Sequence, residues 1–128
     1  VIAENAEKIY GIEIDNSAVK RAAENAKINQ VKNTEYIAGD VLEKMDDINQ
    51  KADLIIIDPP RPGINPKALS KIASAGADEI LYISCNPKSL ARDLVELKLH
   101  DYKLKKFKAV DMFPHTKHLE VITLLQKH

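Results

Sequence analysis

Short runs rich in β-branched and aromatic residues alternate along this chain with stretches whose apolar positions recur at helical spacing. Residues 8–14 form the first run, which ends in carboxylates, and Asp15-Asn16-Ser17 then supplies N-cap chemistry for a helix over 17–29. Residues 34–38 make a second strand ahead of Gly39-Asp40, and 41–48 a shorter helical piece. Residues 52–58 are nearly continuous in apolar side chains. That is the pattern of a strand buried on both faces of a parallel sheet, so this strand is expected at the sheet's centre. A proline-rich loop, 59–63, leads to a helix over 66–75 and a strand over 79–84. Asn86-Pro87 reads as the cap and first residue of a helix reaching residue 97. Two more β-rich runs, 102–111 and 118–126, have no helical period between them and should pair antiparallel.

Strands with intervening helices and an antiparallel ending describe an α/β fold with a doubly wound, mostly parallel sheet. Ligands of such sheets sit in the crevice beyond the carboxyl ends of the strands, which directs the search for chemistry. Residues 1–6 look like the last turns of a helix with nothing before it. At 128 residues and 14.3 kDa the chain has the size of one domain. Nineteen Lys plus Arg balance nineteen Asp plus Glu, so bulk charge does not hold a nucleic acid here. No apolar stretch approaches the roughly 20 residues of a membrane span and no basic-then-apolar leader opens the chain, so a cytoplasmic protein is expected. The single cysteine, Cys85, excludes a disulfide within the chain and any multi-cysteine zinc site.

At the carboxyl ends of the expected strands stand Glu13, Asp40, Asp58 and Cys85. Glu13 is placed to accept hydrogen bonds from ribose hydroxyls, or is a solvated strand-end acid. Asp40 could accept from an adenine amino group or cap the helix that starts at Val41. Asp58-Pro59-Pro60-Arg61-Pro62-Gly63 sets prolines directly after a buried strand, giving a stiff extended loop that can position a flat substrate. Cys85 lies one residue before a helix N-cap, where the helix dipole favours thiolate. It reads as a nucleophile or as a small buried apolar residue. Glu120 stands at the mouth of the apolar run 121–125, either as a proton-transfer group whose pKa burial would raise or as a solvated strand start. His115 and His118 with one cysteine, in unrelated segments, are weak grounds for a zinc site, and no metal is expected.

Three motifs in order, Asp58-Pro59-Pro60-Arg61, Ser84-Cys85-Asn86-Pro87 with Ala91-Arg92-Asp93-Leu94 behind it, and residues 111–120 (DMFPHTKHLE), closely resemble the RNA uracil-5-methyltransferase family. The resemblance covers essentially the whole chain. It implies a Rossmann-like methyltransferase sheet, S-adenosyl-L-methionine as cofactor and an RNA substrate, ribosomal rather than transfer RNA, with no membrane partner. It implies that Glu13 binds the cofactor ribose, Asp40 lies beside the adenine, Asp58 lines the methionine and target-base side, Cys85 is the nucleophile and Glu120 the base. Tyr10, Lys88 and Arg92 match no assigned position, although Arg61, Lys88 and Arg92 are candidates to hold RNA phosphates or to pair with local acids on the surface. The family's first strand, Gly-rich turn and RNA-binding N-terminal region have no counterpart here. Residues 1–128 are therefore expected to be the C-terminal portion of a class I methyltransferase domain. A lone cysteine cannot hold an iron-sulfur cluster. Two other readings stay open: a methyltransferase acting on an exocyclic amine, for which Cys85 would be dispensable, and a non-catalytic nucleotide-binding module.

Overall fold

The alternation of β-rich and helical segments folds as two units, residues 1–49 and 50–128, each with its own sheet. The computed structural model describes residues 2–112, 114–116 and 119–128. In the first unit β1 (Ile9–Glu13), α1 (Asn16–Ile28), β2 (Thr34–Ala38) and α2 (Val41–Lys44) form one β-α-β-α run. β1 pairs parallel with β2, in register from Ile9 opposite Thr34 to Glu13 opposite Ala38. α1 starts where the Asp15 side chain accepts from the Ser17 amide at 2.8 Å and the Ser17 hydroxyl at 2.7 Å, satisfying one of the helix's orphan donors.

Two expectations for this unit are corrected. Residues 2–5 form a 3-10 turn rather than the end of an α-helix. It is tied down by Asn33, whose side-chain amide donates to the carbonyls of Ala3 and Ala6. The helical piece over 41–48 stops at Lys44 and tightens into a 3-10 turn, Met45–Asp47. A helix of one turn has too few internal hydrogen bonds to propagate, and two adjacent aspartates at 46 and 47 add no helix propensity.

The second unit comprises β3 (Leu54–Ile57), α3 (Pro66–Ser74), β4 (Glu79–Ser84), α4 (Pro87–Leu99), β5 (Tyr102–Val110) and β6 (Glu120–Lys127). Its strand order is β3-β4-β6-β5. β3 and β4 are parallel, and β6 inserts between β4 and β5, antiparallel to both. The expected antiparallel ending is therefore present, with a bulge between Leu104 and Lys106 that leaves Lys105 as the extra residue.

Alternate residues of β4, namely Ile80, Tyr82 and Ser84, are buried. They share one face with Thr123 and Leu125 of β6, which stand opposite Tyr82 and Ile80. Leu69, Ile72 and Ala73 of α3 and Leu90 and Leu97 of α4 complete this core. A hydrogen bond from Tyr102 to the Ala77 carbonyl at 2.7 Å closes its edge. The expected central position of β3 is corrected: it is an edge strand, and Leu54 and Ile56 are 42% and 41% exposed. An apolar run reports what its side chains favour, whereas burial on both faces requires helices packed over the strand, and among the described residues β3 pairs with β4 alone.

Candidate active site

In the first unit the parallel pairing of β1 and β2 brings two carboxylates to one end. Glu13 closes β1, and its Oε1 accepts from the Asp15 amide at 2.9 Å. Its backbone carbonyl accepts from the Gly39 amide at 3.0 Å. Gly39 has φ +145°, and a Cβ there would stand 2.7 Å from Lys44 Cγ, so a side chain would disturb the turn that delivers Asp40. Asp40 caps α2, its Oδ1 accepting from the Leu42 amide at 2.7 Å. Each carboxylate thus spends one oxygen on a local amide, and among the described residues the other accepts no hydrogen bond. Such a pair of acceptors at strand ends fits ribose hydroxyls and a base amino group.

In the second unit Asp58 is exposed immediately after β3. The chain then turns, with the Gly63 amide donating to the Pro60 carbonyl at 2.8 Å. Cys85 is a half-buried free thiol just past β4. Asn86 follows as the N-cap of α4, its Oδ1 accepting from the Lys88 amide at 3.2 Å, and the Ser84 hydroxyl accepts from the Asn86 amide at 3.1 Å. Glu120, half-buried, opens β6 opposite Val110. Tyr82, Ile83 and Ser84 face Thr123, Ile122 and Val121 in turn. The β4–β6 ladder ends with Ser84 opposite Val121, so Cys85 follows the last paired residue of β4 and Glu120 precedes that of β6 at the same end of the sheet. Cys85, Glu120 and Asp58 therefore share one end of this sheet.

Behind this end lies a polar network. Asp93 of α4 is 1% exposed. Its Oδ2 accepts from the Tyr82 hydroxyl at 2.6 Å and the Ile64 amide at 3.0 Å. Its Oδ1 accepts from Arg92 Nε and Nη2 at 2.9 and 2.7 Å. Burial, and then the hydrogen bond to Asp93, push the Tyr82 phenol far above its ordinary range, so it stays protonated as the donor. Arg92 Nη2 also donates to the Pro62 carbonyl at 2.9 Å. Asn86 Nδ2 and Ser89 Oγ both donate to the Arg61 carbonyl, at 2.9 and 3.0 Å.

Of the basic candidates for an RNA phosphate, Arg92 directs Nε and Nη2 to Asp93 and Nη2 also to the Pro62 carbonyl. Lys88 and Arg61 are exposed. His118 lies outside the described residues. Among the described residues no three His, Cys, Asp or Glu side chains come together as a metal site, and no helix is long and apolar enough to cross a membrane. Reading the sequence by strand ends missed Asp93 and Tyr82. The signal was there: Asp93 falls three residues after Leu90 and four before Leu97, a charge within the buried stripe of α4.

The sequence matches the tRNA (uracil-5-)-methyltransferase family over residues 1–128. It is 49% identical over 127 residues to an uncharacterized RNA methyltransferase of Caldanaerobacter subterraneus, covering 99% of this chain and 28% of that protein. The structure is similar to that of the Pyrococcus abyssi tRNA (uracil-54, C5)-methyltransferase, solved in complex with S-adenosyl-L-homocysteine. The TM-score is 0.82 at 33% identity, covering 97% of this chain and 30% of the other. An rRNA methylase from Streptococcus thermophilus shares the fold alone, with a TM-score of 0.77 at 13% identity over 98% of this chain and 76% of the other. The chain thus spans less than a third of the C. subterraneus and P. abyssi proteins. Its architecture is the Rossmann-like α/β methyltransferase fold. The chain belongs to the tRNA (uracil-5-)-methyltransferase family.

Proposed function

We propose that this protein methylates C5 of uridine in RNA, with S-adenosyl-L-methionine as methyl donor. The observation that carries the reading is that the β4–β6 ladder ends at Ser84 and Val121, which leaves the Cys85 thiol and the Glu120 carboxylate at one end of the sheet. Glu13 and Asp40 would hold the cofactor's ribose and adenine, and Asp58 would face its methionine end and the target base. When bound, the cofactor supplies an electrophilic methyl group.

Uracil C5 is a weak nucleophile, so the chain's own task is to raise its electron density. The Cys85 thiolate adds to C6, and the displaced ring electrons accumulate at C5 and O4. After C5 is methylated, the Glu120 carboxylate takes the C5 proton. The C5–H electron pair re-forms the C5–C6 double bond, and the C6–S bond breaks to return the thiolate. One thiol and one carboxylate balance this cycle, in keeping with a chain that has a single cysteine. The start of α4, capped by Asn86, lies directly behind Cys85. A uridine in folded RNA must also be unstacked to reach Cys85, at a cost of a few kcal/mol.

Ribosomal RNA is the proposed substrate, acted on in the cytoplasm. Transfer RNA is the second reading, favoured by the name of the matched family and by the P. abyssi enzyme. Residues 1–128 are proposed to be the C-terminal portion of a class I methyltransferase domain. Supporting this, β3 is wholly apolar yet among the described residues pairs with β4 alone.

The test is the intact protein incubated with S-adenosyl-L-methionine and 5-fluorouridine-substituted ribosomal or transfer RNA, then denaturing mass spectrometry. Fluorine at C5 cannot leave as a proton does, so a covalent adduct mapping to Cys85 and absent in Cys85→Ala is expected. No adduct despite demonstrated RNA and cofactor binding would overturn the covalent reading. The RNA that yields the adduct identifies the substrate class.

A further inference from the structure

The loop after β3 and the helix after Cys85 are joined by an unusual concentration of hydrogen bonds. Four side chains of one helix segment, Asn86, Ser89, Arg92 and Asp93, engage the backbone at residues 61, 62 and 64. All four act on main-chain groups, so the contacts fix where the loop runs rather than which side chains it carries. Asn86 has two tasks: its Oδ1 caps α4 while its Nδ2 holds the Arg61 carbonyl. Arg92 bridges by its fork, with Nε and Nη2 on Asp93 and Nη2 also on Pro62. Gly63 makes the close approach possible. It has φ +84°, and a Cβ there would lie 2.5 Å from Arg92 Nη2 and 2.7 Å from Asp93 Oδ2. Tyr82, donating from β4, holds Asp93 in place from below.

These bonds do not reach the reacting atoms, but they tie together two segments whose relative position matters. The loop carries Asp58 at its start, and the N-cap of α4, Asn86, directly follows Cys85. Prolines at 59, 60 and 62 withdraw backbone donors from the loop and stiffen it. It therefore moves as a piece, and its placement depends on what grips its far end.

We propose that Asn86, Ser89, Arg92 and Asp93 form a positioning clamp that fixes the Asp58–Gly63 loop relative to Cys85, so that the loop presents the target base to the thiol. This deepens the uracil-methylation reading and rests on it. Arg92 is then a positioning residue and not an RNA-binding one. Lysine at position 92 keeps a positive charge beside Asp93 but cannot reproduce a planar fork that spans a carboxylate and a carbonyl.

The test compares wild type, Arg92→Lys and Ser89→Ala in the intact protein by three measurements: cofactor affinity, amide hydrogen exchange at residues 63 and 64, and the single-turnover rate of 5-fluorouridine-RNA adduct formation. Both variants should exchange faster at 63 and 64 and keep wild-type cofactor affinity. Arg92→Lys should form the adduct on the order of ten- to hundredfold more slowly, the range expected when a positioned group drifts by about 1 Å. Ser89→Ala, which leaves Asn86 on the Arg61 carbonyl, should slow less. Faster exchange with an unchanged adduct rate would overturn the proposal, because the clamp would then be architecture alone. So would unchanged exchange at 63 and 64 in Arg92→Lys, or a slow rate traced to weaker RNA binding that higher RNA concentration restores. Failure of the wild type itself to form an adduct would refute the methylation reading instead, which keeps the two failures apart.

Discussion

The Tyr82–Asp93 pair permits a prediction whose sign reverses with background. The Tyr82 side chain is fully buried, and its hydroxyl donates to a carboxylate at 2.6 Å. Hydrogen bonds to charged groups contribute about 1.5–3 kcal/mol, so Tyr82→Phe should cost about 2 kcal/mol. Asp93→Ala removes the acceptor for Tyr82, for the Ile64 amide and for two donors of Arg92. Breaking a buried pair by deleting one partner costs about 3–5 kcal/mol. The Arg92 side chain is 57% exposed and can turn to water, which places this case at the lower end, about 3 kcal/mol. Once Asp93 is gone, the Tyr82 hydroxyl is a buried donor without its partner. Removing it should then be neutral or stabilising by up to about 1 kcal/mol. The coupling between the two sites should therefore be about 2–3 kcal/mol. Urea unfolding of the intact protein, with native-state hydrogen exchange at the β4 and α4 amides as the local readout, measures all four corners of the cycle. Additivity within about 0.5 kcal/mol would refute the claim that Asp93 is the hub of the network.

Two further outcomes follow from the same region. Gly63→Ala should destabilise by more than about 1 kcal/mol, because it combines a positive φ with a Cβ placed under 3 Å from Arg92 and Asp93. The same urea and exchange measurements check it, and a neutral result would mean that the loop can shift without cost. Stability should also fall as pH rises above about 10. Tyr82 and Tyr102 both have phenols raised from an ordinary value of 10.0, Tyr82 by burial and by Asp93 and Tyr102 by burial. The unfolded chain then releases protons that the folded chain keeps. Urea midpoints measured from about pH 8 to 11 should show this decline, and it should be shallower in Tyr82→Phe.

Much of the architecture was readable because local chemistry dictated it. Asp15, Asp40, Asn65 and Asn86 cap helices in the structure. The strand expected over 79–84 is β4, Glu79–Ser84. What escaped the sequence depended on neighbours. Residues 54–57 carry the same apolar signal whether flanked by one strand or two, and the structure gives β3 one. The bulge at Lys105 sits where the alternation of Lys103-Leu104-Lys105 slips by one residue into Lys106-Phe107-Lys108. The candidate site shows the same division. Each of Glu13, Asp40, Asp58, Cys85 and Glu120 could be picked out by its place at a strand end. That Cys85 and Glu120 come to one end of one sheet could not, because it arises from β6 inserting between β4 and β5. Asp93 was legible in principle as a charge on an apolar helix stripe, although its partners lie 11 and 29 residues away.

The central claim, a thiol and a carboxylate acting in succession on one base, is tested most directly by Glu120→Gln. The intact variant would be incubated with S-adenosyl-L-methionine and the ordinary uridine-containing RNA, then analysed by denaturing mass spectrometry. With no base to take the C5 proton, the methylated base should stay bonded to Cys85, giving a covalent protein–RNA species carrying the added methyl group. Free 5-methyluridine formed at the wild-type rate, with no such species, would contradict the account.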